Sequence, residues 1–451
     1  MFLYMKLGGN ALLTSLDLGT FLFYKEDKMY QTVKGTYDIL SEDYRKFEMV
    51  NTLFKHFLDL YGYEIMKTPV FEYTGVFSKE NDTSDMVTKE MYTFSMNGKD
   101  SLTLRPEGTA GIIRSFVQNK MYSKELPVKL AYIEEMFRHE RPQKGRQRQF
   151  TQLGVENIGD KNPMIDAEVI ALGYFFVKTL GLKSIKVCIN TLGDATSRLK
   201  YKEALKTYFD EYRDQLCYDC QNRLDKNPLR ILDCKIDHDL ECVKNAPKMH
   251  DYLTEESAAY FKKVLEYLDA LEIPYTIDNN LVRGLDYYTD TVFEVVSTHE
   301  VSGSQSTIFG GGRYDNLVKE MGGPEISGIG FAIGEERLII LAEAEGVFDE
   351  YKPYVDAYVI DMTKGSAYAL KIANDLRMNS YTTEINYYDR SMKSQFKSSD
   401  RKGARFVVII GEDEMNKNTV MLKDTRTREQ YEVNSDELVD KLDLLMEGED
   451  E

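Results

Sequence analysis

Four arginines stand in turn-rich segments: Arg138 and Arg146 in a loop dense with cations, Arg283 in Leu-Val-Arg-Gly-Leu-Asp-Tyr-Tyr288, and Arg337 just after a glycine-rich apolar run. A guanidinium keeps its charge at any ordinary pH and grips phosphate oxygens in pairs, which suits a nucleoside triphosphate. An isolated arginine is more often a surface or salt-bridging residue, so the chemistry requires that several converge. Glu107 and Glu156 could receive an amine or an imidazole, or be structural carboxylates. Tyr287-Tyr288 could line a polar pocket beside Arg283 or form a half-buried strand pair. Phe150 could stack on a base or fill the core. Residue types and spacing alone reach a phosphate-handling enzyme with an appended α/β module.

Cys217-x-x-Cys220 has metal-ligand spacing, whereas Cys234 and Cys242 are irregularly spaced. Four ordinary cysteines are the expectation, with a four-cysteine zinc site as the alternative. No G-x-x-x-x-G-K-[ST] phosphate loop and no H-E-x-x-H occurs. Gly328-x-Gly330-x-x-x-Gly334 imitates a dinucleotide fingerprint, but its last spacing is one residue too long.

The elements that must carry these residues follow from periodicity. Phe47, Val50, Phe54, Phe57 and Leu58 recur at helical spacing, giving a helix over 42–60 with Ser41 and acidic residues at its start. Strands are expected over 65–70, 102–104, 128–138, 150–158 and 186–190, and a helix over 111–119. The segment 138–148 is then a long basic hairpin loop. Residues 195–267 read as a helical insertion. Strands follow at 275–278, 291–297 and 307–309, with Gly310-Gly311-Gly312 turning the chain, and a helix over 335–343. Residues 345–354 form a linker. Beyond it, alternating strands (355–360, 405–410) and helices (366–378, 391–403) imply a small α/β domain over 355–447 with a largely parallel sheet, ending in an acidic tail, 448–451.

The chain has 451 residues, 42% of them hydrophobic, enough for several domains with substantial cores. Five cysteines suit a reducing, cytoplasmic setting rather than a disulfide framework. No apolar run is long enough to span a bilayer, so no membrane partner is expected. A net charge of −18 argues against a nucleic-acid partner unless basic faces are local. Residues 1–28 lack a strongly basic start, a compact apolar core and a clear cleavage site, so an over-long or nonnative start is preferred over a signal peptide, with Met29 the expected initiator.

Several stretches carry a family resemblance. Thr103-Leu-Arg-Pro-Glu-Gly-Thr-Ala-Gly111, Met136 through Phe150, Leu281 through Tyr288, Gly310-Gly-Gly-Arg-Tyr-Asp315 and Gly330-Phe-Ala-Ile-Gly-Glu-Glu-Arg337 together resemble bacterial histidyl-tRNA synthetases, class II aminoacyl-tRNA synthetases, from about Tyr30 to Leu445. Pro69 falls where the first class II motif places a dimer-interface proline. Glu335-Glu336 departs from that pattern, in which a neutral residue is common at the first position.

The resemblance implies an α+β catalytic domain on an antiparallel sheet over 29–344, interrupted by the helical insertion, and a C-terminal α/β anticodon-binding domain. It implies ATP-dependent activation of histidine and transfer to tRNA(His) by a homodimer. Glu107, Gly108, Thr109 and Gln152 would hold the α-amino end of histidine, with Glu156 and Tyr288 bracketing the imidazole and Tyr287 lining its pocket. Arg283 and Arg138 would be catalytic at the α-phosphate, Arg146 and Arg337 would hold the terminal phosphates, and adenine would lie between Phe150 and Arg337. Mg²⁺ would accompany ATP, with Arg283 taking part of a metal's role and no organic cofactor. The loop Gln143–Arg148 would meet the acceptor stem. Two rivals share the fold: a paralogue regulating histidine biosynthesis, and a noncatalytic RNA-binding protein.

Overall fold

The computed structural model describes residues 30–447 apart from 79–85, 97, 99, 144, 235, 286, 304–305 and 350–353. The expectations for 1–28, Met29 and the tail 448–451 lie outside the described residues, as do residues 350–353 of the linker.

Helix α1 spans Ser41–Tyr61 and buries the anticipated stripe, Phe47, Val50, Phe54, Phe57 and Leu58. Ser41 lies inside the first turn; Leu40 precedes it without a side-chain cap, and Glu42 and Asp43 complement the helix dipole instead. Gly62, in the left-handed region, ends the helix. The strand expected over 65–70 shrinks to β1, Glu64–Ile65, because Met66 to Val70 turn away from the main sheet. There Thr68 gives its N–H and hydroxyl to the buried Glu134. Strands β2 (Phe71–Tyr73), β3 (Thr93–Met96) and β4 (Asp100–Leu104) form a separate three-stranded sheet, followed by α2, Thr109–Gln118.

The main sheet has eight strands in the order β1-β5-β6-β11-β10-β9-β7-β8. These are β5 (Val128–Phe137), β6 (Gln149–Gly159), β7 (Ile185–Thr191), β8 (Tyr275–Ile277), β9 (Thr289–Ser297), β10 (Thr307–Tyr314) and β11 (Ser327–Gly334). Its six central strands pair antiparallel, and only the outer pairs β1/β5 and β7/β8 are parallel. Residues of α1, α3 (Pro163–Thr179), α7 (Glu255–Ala270) and α9 (Glu335–Ala344) pack into one apolar core against one face.

One reading of the sequence needs correction here. Gly310-Gly311-Gly312 is no turn but the middle of β10, paired on both sides. Its glycines serve close approach: a Cβ on Gly311 would lie 2.0 Å from the carbonyl oxygen of Gly330 on β11. The near-fingerprint Gly328 to Gly334 is likewise a central antiparallel strand and not a βα phosphate turn.

The helix-rich stretch after β7 contains α4 (Ala195–Asp210), α5 (Tyr218–Lys226) and α6 (Glu241–Lys244) around its own core. Helix α7 falls within the segment read as insertion, yet Phe261, Val264 and Leu268 pack into the main core. Asp194 and Thr254 cap α4 and α7 with their side chains. The short helix α8 spans Leu317–Glu320. The beginning of the supposed linker is anchored, since Glu345 accepts the amides of Lys183 and Ser184 and Phe348 is buried in the main core.

The C-terminal unit contains β12 (Val355–Asp361), α10 (Ala367–Met378), β13 (Thr383–Ile385), α11 (Met392–Arg401), β14 (Ala404–Ile410), α12 (Glu412–Lys417), β15 (Thr419–Asp424), β16 (Gln430–Asn434) and α13 (Leu438–Glu447). Its sheet order is β13-β12-β14-β15-β16. The first three strands are parallel as the alternation suggested, but β15 and β16 return antiparallel as a hairpin, making the sheet mixed.

Candidate active site

The face of the main sheet opposite the helices carries a cleft of about 950 Å³, its open mouth included. Glu107, Thr109, Arg138, Arg146, Phe150 and Gln152 line it, together with Glu156, Arg283, Tyr287, Tyr288 and Arg337. The residues singled out from five separate stretches of sequence therefore share one cavity. Gly108 is the exception. It packs behind the wall, where a Cβ would strike the Tyr132 ring at 2.3 Å.

Glycine excavates the floor. Glu156 on β6 pairs across the sheet with Gly330 on β11, and a Cβ on Gly330 would come within 2.0 Å of the Glu156 carboxylate. Glu294 on β9 pairs with Gly310 on β10, and the Arg283 guanidinium lies over that glycine, 2.5 Å from where its Cβ would be. The missing side chains let a carboxylate and a guanidinium lie flat on the strands.

At one end the polar groups form a chain. Both Glu107 oxygens accept backbone N–H groups at the start of α2, from Thr109 at 2.7 Å and Ala110 at 2.8 Å. The Thr109 hydroxyl donates to Glu156 at 2.6 Å, and the Tyr314 hydroxyl donates to its other oxygen at 2.6 Å. Burial pushes the Glu156 carboxyl up from 4.5 to about 8, with those two hydrogen bonds pulling downward and Glu107 adding to the rise. Burial also raises Glu107, against its backbone hydrogen bonds and Arg138. Two carboxyls held this way favour a cationic or N–H-donating ligand, which would return charge to Glu156. The rings of Tyr287 and Tyr288 close this end, 4.8 Å apart between centroids.

At the other end the field is positive. Arg283 is ion-paired with Glu294, whose second oxygen accepts the Thr307 hydroxyl at 2.8 Å. Burial is the largest influence on Arg283 and disfavours its charge, but Glu294, Tyr288 and Tyr287 together outweigh it and raise its pKa. Arg138 donates to the Pro106 carbonyl at 2.8 Å and lies 5.2 Å over the Phe150 ring. Arg146 meets Glu140 at 3.0 Å, and Arg337 donates to the carbonyls of Gly145 at 2.8 Å and Thr307 at 3.1 Å. Burial, then the neighbouring Arg146, lower the Arg337 pKa. Cations are crowded here more closely than their carboxylate partners neutralise. Among the described residues, the buried Nε groups of Arg146 and Arg283 and the buried Oε1 of Gln152 have no hydrogen-bond partner. Buried polar groups without partners are rare, and a ligand carrying both an amine and phosphates would satisfy them.

Sequence reasoning assigned no role to Tyr314, Glu294 or Tyr132. Tyr314 follows Gly310 and Gly312 at period two on β10, so reading that segment as a strand rather than a turn would have placed it on the cleft face. Arg105 and Arg313, both inside the resembling motifs, serve packing instead: Arg105 pairs with buried Glu134, and Arg313 with Asp166. Glu335 and Glu336 open α9, where burial lifts them to about 8 and about 7; Glu336 accepts the Thr151 amide at 2.9 Å.

The cysteines divide differently from the anticipated four-cysteine set. Donor atoms of Cys217, Cys220, Cys234 and Asp237 lie within 4.8 Å of one another, and Cys242 does not belong to the group. Asp237 takes the fourth place because the turn after Cys234 carries it back toward the start of α5, where one of its oxygens accepts the Cys217 N–H.

Comparison with known proteins agrees with this geometry. Residues 35–338 match the histidyl-tRNA synthetase family, and residues 356–444 match an anticodon binding domain. A histidine–tRNA ligase of Listeria monocytogenes is 47% identical over 415 residues, 91% of this chain and 98% of that protein. One from Bacillus cytotoxicus is 49% identical over 406 residues, 89% of this chain and 96% of that protein. The apo crystal structure of Staphylococcus aureus histidyl-tRNA synthetase superposes with a TM-score of 0.78 at 40% identity, covering 92% of this chain and all of that one. By its sequence over two thirds of its length, and by its fold, the chain belongs to the histidyl-tRNA synthetase family.

Proposed function

We propose that the cleft joins histidine to AMP at the expense of ATP and that the histidyl group then passes to the 3′ end of tRNA(His). The observation that carries this reading is the shared cavity with a carboxyl-rich end and a guanidinium-rich end, whose unpartnered groups ask for a ligand of mixed charge. Glu107, Thr109 and Gln152 receive the α-ammonium group. Glu156 and Tyr288 face the imidazole, with Tyr287 beside it. A side chain lacking ring nitrogens would leave Glu156 with its Thr109 and Tyr314 hydrogen bonds alone and no ligand donor for its charged form, and sites built to hydrogen-bond a substrate N–H discriminate by about 10⁴–10⁵.

The nucleophile is the carboxylate of histidine, already ionised, so the first step needs no general base. It needs alignment with the α-phosphorus and neutralisation of charge as pyrophosphate leaves. Arg283 and Arg138 act at the α-phosphate, Arg146 and Arg337 at the terminal phosphates, and adenine lies between Phe150 and Arg337. Magnesium enters as part of the ATP substrate, while the fixed positive field comes from the arginines.

The hairpin loop 143–148 meets the acceptor stem. In the C-terminal unit, Tyr387 and Tyr388 are exposed just after β13, and Arg390 lies 5.0 Å over the Tyr388 ring. Aromatic faces beside a guanidinium suit unstacked anticodon bases. Ile65, Val70, Phe71, Tyr73 and Phe94 are exposed near Pro69, an apolar surface suited to a homodimer contact. Five cysteines, all free, suit the cytoplasm. No helix among the described residues is long and apolar enough to cross a membrane.

The test is amino-acid-dependent exchange of pyrophosphate into ATP, followed by charging of tRNA. Exchange is expected with histidine alone among the common amino acids. No exchange with histidine by well-folded protein refutes the proposal.

A further inference from the structure

Inside the helical insertion, far along the chain from the arginines, a second cluster has the composition of a metal site. Cys217 stands at the N-terminal boundary of α5 and Cys220 in its first turn. Cys234 and Asp237 follow the turn at Pro228–Ile231. With Asp237 counted as a ligand, the spacing becomes C-x₂-C-x₁₃-C-x₂-D, two pairs at the same short interval. Searching cysteines alone pairs Cys234 with Cys242 and hides that regularity.

The geometry is close to what a tetrahedral ion requires. Zinc–sulfur bonds of about 2.3 Å place two ligand sulfurs about 3.8 Å apart. The Sγ atoms of Cys217 and Cys234 are 3.8 Å apart, and all four donor atoms fit within 4.8 Å. A disulfide would need about 2.05 Å. Cys220, Cys234 and Asp237 are buried. Asp237 accepts the Cys217 N–H through one oxygen at 3.0 Å, a bond that orients both residues.

We infer that Cys217, Cys220, Cys234 and Asp237 bind one structural zinc ion. Three thiolates select a soft divalent ion over magnesium or calcium, and four protein donors leave no open position for chemistry. The ion clamps the start of α5 to the segment that directly follows the turn at Pro228–Ile231. From that turn Arg230 donates to the backbone carbonyl of Arg283 at 3.1 Å, while Leu281, Val282 and Tyr288 pack into the same insertion core. The clamp therefore supports from behind the backbone that presents Arg283, and Arg230 is a positioning residue. The zinc site itself does not depend on the reaction proposed above.

The full-length chain is incubated with zinc, desalted and analysed for metal per chain. About one equivalent is expected for the wild type and for Cys242→Ser, with at least a fivefold loss in Cys220→Ser and Cys234→Ser. Should those variants misfold, cobalt added to metal-free wild type gives the independent readout: thiolate-to-cobalt charge transfer with tetrahedral visible bands. A wild type that retains no zinc and shows no such bands, a Cys217–Cys234 disulfide by mass spectrometry, or equal metal loss in Cys242→Ser overturns the inference.

Discussion

Arg313 and Arg283 serve opposite faces of the same eight-stranded sheet, and their surroundings separate structure from chemistry. Arg313 points from β10 into the helical layer, fully buried, where Asp166 pairs with it and Tyr260 donates to the same carboxylate at 3.1 Å. Its remaining donors reach Ser327 at 2.5 Å and the Asp160 carbonyl at 3.2 Å. Arg283 lies over Gly310 on the cleft face, also ion-paired, yet its buried Nε has no partner. Arg313 finds protein partners at all three of its guanidinium nitrogens, whereas Arg283 on the cleft face is left with a buried donor to spare.

Exchanging the fates of these two arginines is the strongest way to break the comparison. Arg313→Ala strands Asp166 in the core and should cost about 3–5 kcal/mol of folding free energy, read by chemical denaturation. Exchange activity per folded molecule should stay close to wild type. Arg283→Ala should do the reverse: exchange falls about 10²–10³-fold, as for loss of one fixed transition-state donor, while the melting temperature barely moves. A stable Arg313 variant or an active Arg283 variant would erase the distinction.

Gly330→Ala sharpens the same point with one methyl group. The new Cβ would meet the Glu156 carboxylate at 2.0 Å and the Val155 carbonyl at 2.3 Å, so stability should fall as well, and histidine affinity of the folded protein should weaken by about 1–3 kcal/mol, measured by calorimetry. Unchanged histidine affinity in the folded variant would assign Gly330 to packing alone.

The smallest effect is in pH. In the proposed site the imidazole N–H binds the ionised form of Glu156, whose carboxyl burial raises to about 8. Histidine affinity should therefore rise with pH until about 8 and then level, falling by up to about tenfold per unit below it. Below the imidazole's own pKa, about 6.5, ligand protonation adds to the fall. Glu156→Gln should weaken binding and flatten the segment between pH 7 and 8. An unchanged profile would remove Glu156 from contact with the ring.

How much of this was legible beforehand follows from which forces are local. Long helices were readable because burial imposes period 3.6 on α1, and β5 and β6 because a cationic, turn-forming loop separates two apolar-rich runs. The glycine run on β10 was misread because its residues serve neighbours far along the chain: Gly310 lies under Arg283, and Gly311 against Gly330. The antiparallel return of β15 and β16 breaks a βα alternation that had suggested a largely parallel sheet. Within the cleft, resemblance supplied most of the residues that line the cavity but not Tyr314 or Glu294, which bond Glu156 and Arg283 across strands. Likewise, Asp237 joins the cysteine cluster through a turn that carries no sequence mark of its own.

The central claim is that both substrates occupy one cavity, the imidazole at its carboxyl-rich end and the phosphates at its arginines. Calorimetry with a non-hydrolysable histidyl-sulfamoyl adenosine tests it directly, because a molecule joining both halves gains the binding of each without a second loss of freedom. The analogue should bind more than about 10²-fold tighter than histidine or ATP alone, and Arg283→Ala should remove most of that gain. Affinity no better than that of the stronger half would contradict the account.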